Sequence, residues 1–315
     1  MFADRLIEAI KLKDNPSVLG LDPKIDFIPS EILGKAFGKF GENLEGAAEA
    51  ICEFNIRLIE ALHGIVPAVK LQSAFYEAYG LYGIRAMIQT ISEARRKGLL
   101  VICDAKRNDI GSTAEAYSAA YLGSSLVRNG KTFPVFDADA LTVNPFLGYD
   151  GIRPFLEDCK RFGKGIFILV KTSNKTSGQL QDLVTSSGKT VYEILAELVE
   201  EWGSGLVGDN GYSSIGAVVG ATYPEQAAAL RSTMRHAFIL VPGYGAQGGT
   251  AMDAICSFGN DGYGAIVNAS RSIICAYMSE KWKYSQREDK LESAAIEEAQ
   301  RMKEDIRTAL ASVRS

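Results

Sequence analysis

The feature that most constrains this chain is a short apolar, β-branched run that recurs eight times between helical stretches. The runs are SVLGLD (17–22), AVKLQ (68–72), LLVICDAK (99–106), ALTVNP (140–145), GIFILVKTS (165–173), IGAVVGA (215–221), AFILVPG (237–243) and GAIVNAS (264–270). Each is apolar on both parities, as a strand must be when both of its faces are buried. Between them, LEGAAEAICEFNIRLIEALH from Leu44, GLYGIRAMIQTISEARRKG from Gly80 and TVYEILAELVEEWG from Thr190 repeat apolar residues three and four apart, the helical period. A similar pattern predicts a long final helix over 286–313. Strand alternating with helix calls for parallel strands and right-handed crossovers. Eight such units close into a (β/α)8 barrel, with an open doubly wound sheet as the competing architecture. The count of eight and the lack of a domain-splitting linker favour the barrel, as one domain over residues 1–315.

Bulk properties exclude several function classes. A net charge of −4 gives no electrostatic case for binding nucleic acid or an anionic membrane. No apolar run approaches the roughly 20 residues that span a bilayer. The charged N-terminus MFADRLIEAIKLKD does not read as a signal peptide, so a cytoplasmic protein is expected. Five cysteines without a C-x-x-C pair suggest reduced thiols, with Cys103 and Cys275 in apolar runs as core residues. Two histidines, His63 and His236, weaken histidine triads and histidine-rich metal sites alike.

In barrels the chemistry sits at the carboxyl ends of the strands. Those ends read Asp22, Lys70, Asp104 with Lys106, Asn144, residues 171–173, Thr222, Pro242 with Gly243, and Ser270 with Arg271. A solvated rim of random polarity explains one or two of these. It does not explain Lys70 inside an apolar strand, because a buried charge is costly unless paired. VICDAKRNDIGSTA adds Asp104, Lys106, Arg107 and Asp109 within six positions. Two connections exceed a tight loop: PKIDFIPSEILGKAFGKFGEN after the first run and the polar NKTSGQLQDLVTSSGK after the fifth. The second lies where barrel enzymes carry loops over a ligand.

The last two strands suggest an anion site: glycine-rich YGAQGGT follows the seventh and Arg271 the eighth. GYGAQG matches the dinucleotide fingerprint, but that pattern belongs in the first turn of a Rossmann unit, not after a seventh strand. The two GKT triplets lack the glycine a P-loop needs.

Together these residues resemble the orotidine 5′-phosphate decarboxylase family. Its D-x-K-x-x-D motif matches Asp104, Lys106 and Asp109 in DAKRNDIGST, including the following Ile110 and Thr113. Its earlier lysine matches Lys70, and its ribose-binding aspartate matches Asp22 in GLDPK. The serine that touches the pyrimidine matches Ser173, and the phosphate-binding glutamine and arginine match Gln247 and Arg271, with Pro242 and Ser270 beside them. VKLQSAFYEAYG and NPFLGYDGI are similar to the longer bacterial-type branch. The family usually has glycine where this chain has Ser270, and Asn108 replaces a glycine common inside the motif.

The resemblance implies decarboxylation of orotidine 5′-monophosphate to uridine 5′-monophosphate in pyrimidine biosynthesis, without metal or cofactor. Lys70, Asp104, Lys106 and Asp109 would form the catalytic array, with Lys106 protonating C6 after CO₂ leaves. The protein would be a homodimer in which Asp109 completes the neighbouring subunit's site. The segment after Ser173 would fold over the ligand through Gln247 and the phosphate. Two other readings remain. A Mg²⁺-dependent sugar-phosphate decarboxylase or aldolase of the same suprafamily would favour a second carboxylate where Lys70 stands. A non-catalytic nucleotide-binding barrel would not need so costly a set of charges.

Overall fold

The computed structural model of the chain describes residues 1–245 and 248–313. All eight apolar runs are strands: β1 Ser17–Leu21, β2 Ala68–Gln72, β3 Leu100–Arg107, β4 Ala140–Val143, β5 Gly165–Lys171, β6 Ser213–Val219, β7 Ala237–Val241 and β8 Ala265–Ala269. Each pairs in parallel with its neighbours in sequence, and β8 pairs with β1, so the sheet closes into a barrel rather than staying open.

Strand alternation divides the apolar residues into two cores. Val18, Ala68, Leu100, Ile102, Ala140, Phe167, Phe238 and Ile266 fill the barrel's interior. Leu19, Val69, Val101, Leu141 and Ile168 point outward against the helices. The expected helices form at Leu44–Leu62, Gly80–Arg96 and Val191–Gly203, and the final one at Lys290–Ser312. Asn43 caps the first by accepting the N–H groups of Glu45 and Gly46; Thr190 and Glu193 form a capping box on the third.

Two helices go beyond the sequence reading. The charged N-terminus forms the helix Phe2–Lys13, which plugs the amino-terminal end of the barrel. Its Phe2 ring packs edge-on against Phe167 at 6.0 Å. The long connection after β1 is largely the helix Ser30–Phe40 and not a loop. Arg57 lies 2.5 Å from Glu31 on that helix and 2.5 Å from Glu292 on the final helix, tying three helices together. Cys275, expected in the core, is only part-buried because it follows the short helix Arg271–Ile274 instead of lying in β8.

Candidate active site

The inward-facing residues of each strand change character along the barrel axis. In β2 the sequence Ala68, Lys70, Gln72 climbs from apolar to charged to polar; in β3 it is Leu100, Ile102, Asp104. Register sets Gln72 beside Asp104 and Gly20 beside Lys70. The apolar floor and the polar mouth therefore belong to the same parity, and the strands deliver their last inward side chains to one place.

There, Lys70 Nζ donates to Asp104 Oδ2 at 3.0 Å and to Asp22 Oδ1 at 3.4 Å. Lys106 Nζ donates to Asp104 Oδ1 at 2.6 Å. Gln72 Nε2 donates to Asp104 Oδ2 at 3.2 Å, and the Thr142 hydroxyl to Asp104 Oδ1 at 2.8 Å. The side chains of Lys70 and Asp104 are only 5% and 11% exposed, whereas that of Lys106 is 44% exposed. Burial alone would raise the Asp104 carboxyl, but the ammonium groups of Lys70 and Lys106 outweigh it and hold the group well below the usual carboxylate range. Burial likewise opposes the Lys70 charge, and Asp104 and Asp22 reverse that, raising its pKa. Asp104 and Lys70 thus favour each other's ionised form, and the more exposed Lys106 ammonium lines the cavity.

The cavity above the array has a volume of about 810 Å³. Asp22, Lys70, Asp104 and Lys106 line one wall, and Pro242, Ser270 and Arg271 contribute another. Ser173 lies between them, followed by Asn174, Thr176, Ser177 and Gln181 from the segment after β5. That segment therefore does lie along the cavity, as expected. Gln247 falls outside the described residues. Gly243 and Gly245, with φ of 101° and 68°, form the tight turn after β7 that only glycine adopts readily. Ser270 has φ −117°, so no glycine is required there; its side chain packs against Gly20, where a Cβ would come within 2.7 Å of it.

Asp109, Ile110 and Thr113 do not line this cavity within one chain. Asp109 Oδ1 accepts the Ile110 N–H at 2.8 Å, while Ile110 and Thr113 are exposed at the start of the helix Gly111–Tyr121. Asn144 and Thr222, both strand-end residues, also stay outside it: Asn144 accepts the Phe146 N–H, and Thr222 donates to the Ser173 carbonyl. Gln72, Thr142 and Asn268 line the cavity without having been singled out in the sequence. Among the described residues no group of three or more His, Cys, Asp or Glu side chains could hold a metal ion, and no helix is long and apolar enough to cross a membrane.

Comparison with known proteins matches this geometry. Residues 50–281 match the family model described as Orotidine 5′-phosphate decarboxylase / HUMPS family. The Orotidine 5′-phosphate decarboxylase of Caldicellulosiruptor saccharolyticus is 43% identical over 298 residues, covering 95% of this chain and 97% of that protein. The protein of the same name from Rhodopirellula baltica is 42% identical over 306 residues, covering 97% and 99%. Among solved structures, the OMP decarboxylase of Leishmania donovani superposes with a TM-score of 0.73 at 29% identity, covering 98% of both chains.

Proposed function

The chain belongs to the orotidine 5′-phosphate decarboxylase / HUMPS family and decarboxylates orotidine 5′-monophosphate in pyrimidine biosynthesis, and on that premise we propose that Lys106 protonates C6 as CO₂ departs. The observation that carries this reading is the placement of Asp104 between two ammonium groups at the wall of the cavity.

The chemistry explains why such an array is useful. When the C6–carboxylate bond breaks, its electron pair stays on C6 in an orbital lying in the ring plane, with no π system to receive it. Stabilisation must come from fixed charge aimed at that carbon. Lys106 supplies it, then gives up one N–H proton to form the C6–H bond and is left as a neutral amine. Asp104 lies where the substrate carboxylate would approach, so loss of CO₂ relieves a repulsion between like charges. Lys70 keeps Asp104 ionised and Lys106 oriented.

The binding roles follow the cavity walls. Asp22 meets the ribose hydroxyls, Ser173 the pyrimidine and Arg271 the phosphate, beside Pro242 and Ser270; the family resemblance gives Gln247, outside the described residues, a share in holding the phosphate. Binding energy from the phosphate, remote from C6, is available to order the segment after β5 and raise turnover. We assign the enzyme to the cytoplasm as a homodimer in which Asp109, with Ile110 and Thr113, completes the partner's site. The unbridged Cys52, Cys103 and Cys159 support the compartment. The position of Asp109 off its own chain's cavity supports the sharing.

The test is a spectrophotometric assay of orotidine 5′-monophosphate loss. Lys106→Ala is expected to lower turnover by roughly a thousandfold or more, with a smaller effect on binding of the product nucleotide. Near-normal turnover in that variant removes the proton-donor role.

A further inference from the structure

We infer that Thr142 is a positioning residue for this reaction: its single hydroxyl fixes Lys106 relative to Asp104. The inference rests on the assignment of Lys106 as proton donor.

The need for such a residue begins with a bulge. Cys103 pairs with Leu141 and Arg107 with Val143, so β3 advances four positions while β4 advances two. The extra residues in β3 include Asp104 and Lys106, and the bulge takes them out of the ladder with β4. Bulges of this kind re-aim side chains next to active sites. Here the backbone at Lys106 enters the left-handed region, with φ 50°. For a residue with a Cβ that conformation is disfavoured, so the surroundings must hold it.

Thr142 does so. Its Oγ1 accepts the Lys106 backbone N–H at 3.0 Å, the group the bulge has removed from the ladder. A hydroxyl has one hydrogen, and that hydrogen goes to Asp104 Oδ1 at 2.8 Å. The same carboxylate oxygen receives Lys106 Nζ at 2.6 Å. The result is a closed cycle: Lys106 backbone to Thr142, Thr142 to Asp104, and Lys106 ammonium back to Asp104. The other oxygen, Oδ2, is held by Lys70 and Gln72, so the carboxylate cannot rotate without breaking several contacts. Thr142 is fully buried, and a β-branched side chain on a strand has few χ1 choices, so the hydroxyl stays in place.

Three variants test this. Thr142→Val keeps the shape and removes the hydroxyl; Thr142→Ser keeps the hydroxyl and removes the methyl. Val is expected to lower kcat roughly 10- to 100-fold, the size of one hydrogen bond to a charged group, with KM changed by less than about threefold. Ser is expected to restore kcat to within about threefold of the parent, which a packing role for the methyl would not allow. Unchanged kcat in Thr142→Val overturns the inference. So does equal impairment in Val and Ser, because the methyl and not the hydroxyl would then matter. Lys106→Ala, assayed alongside, separates the two levels. If it loses turnover while Thr142→Val keeps it, only the positioning role fails. If it keeps turnover, the donor assignment beneath fails.

Discussion

At the scale of single residues, Asp104 is the group on which folding and chemistry meet. Its carboxyl is held below the usual range by Lys70 and Lys106 despite burial. A depressed folded-state value means that the ionised form contributes stability above the unfolded pKa, about 3.9, and that this contribution is lost as pH falls through the folded value. Lys70, with its value raised, contributes below its unfolded pKa of about 10.4 and loses that contribution only as pH rises through the higher folded value. The gap between thermal melts of the parent and of Asp104→Asn should therefore be full from neutrality down to about pH 5 and start to narrow only below roughly pH 4, as the unfolded carboxyl takes up its proton. A gap that stays constant from pH 7 to pH 3 would contradict this account of the array. Lys70 was legible in the sequence because an ammonium within an apolar strand demands a partner. Thr142 was not, because threonine is common in strands and its role depends on a bulge that no local pattern announces.

At the scale of elements, the segment between β5 and the helix Val191–Gly203 is anchored by a charge that the reaction does not use. Lys171, the last residue of β5, is fully buried, and its Nζ lies 2.5 Å from Asp182 Oδ1. Its ammonium also faces the rings of Tyr223 at 4.7 Å and Tyr192 at 5.3 Å. Gln181, next to Asp182, accepts the Thr172 N–H at 3.1 Å and donates to the Thr172 hydroxyl at 2.9 Å. These contacts bring the polar side chains of 174–181 back to the cavity. Asp182→Asn would leave the Lys171 ammonium buried without its counter-charge. Because Asp182 is itself partly exposed, the expected loss is about 2 kcal/mol, below the cost of breaking a fully buried pair. Urea unfolding measures it, and an unchanged midpoint with unchanged slope would rule out the anchor. Composition and position marked this segment as a cavity loop, but the short helix Gly178–Gln181 within it was not legible. The helix Phe2–Lys13 was hidden for a different reason. Its charges served only to set aside a signal peptide, yet Phe2, Leu6, Ile7 and Ile10 recur on one face and fill the barrel end.

At the scale of the whole molecule, a closed barrel leaves the D-x-K-x-x-D motif divided. Asp104 and Lys106 point into the cavity, while Asp109 lies at the start of the crossover from β3 to β4. The same crossover exposes Ile110 and carries the hairpin Ser125–Leu126 with Thr132–Phe133, where Leu126, Val127 and Phe133 are also exposed. Large apolar side chains collected on the segment that bears a proposed shared residue suit contact with a second copy of the chain. Motif spacing could give the residues of the site but not this division, since the span from 104 to 109 crosses from a strand to a loop whose direction only the packed barrel sets. The sharing makes a prediction that a site confined to one chain does not. Asp109→Asn and Lys106→Ala should each be inactive as pure proteins. After mixed refolding, half of the dimers would be hybrids, and each hybrid would hold one site with Lys106 from one chain and Asp109 from the other. Activity should then return to about a quarter of the parent value, as random two-fold assembly requires. If Asp109 served its own chain, neither site of a hybrid would be whole, and the mixture would stay as inactive as its components.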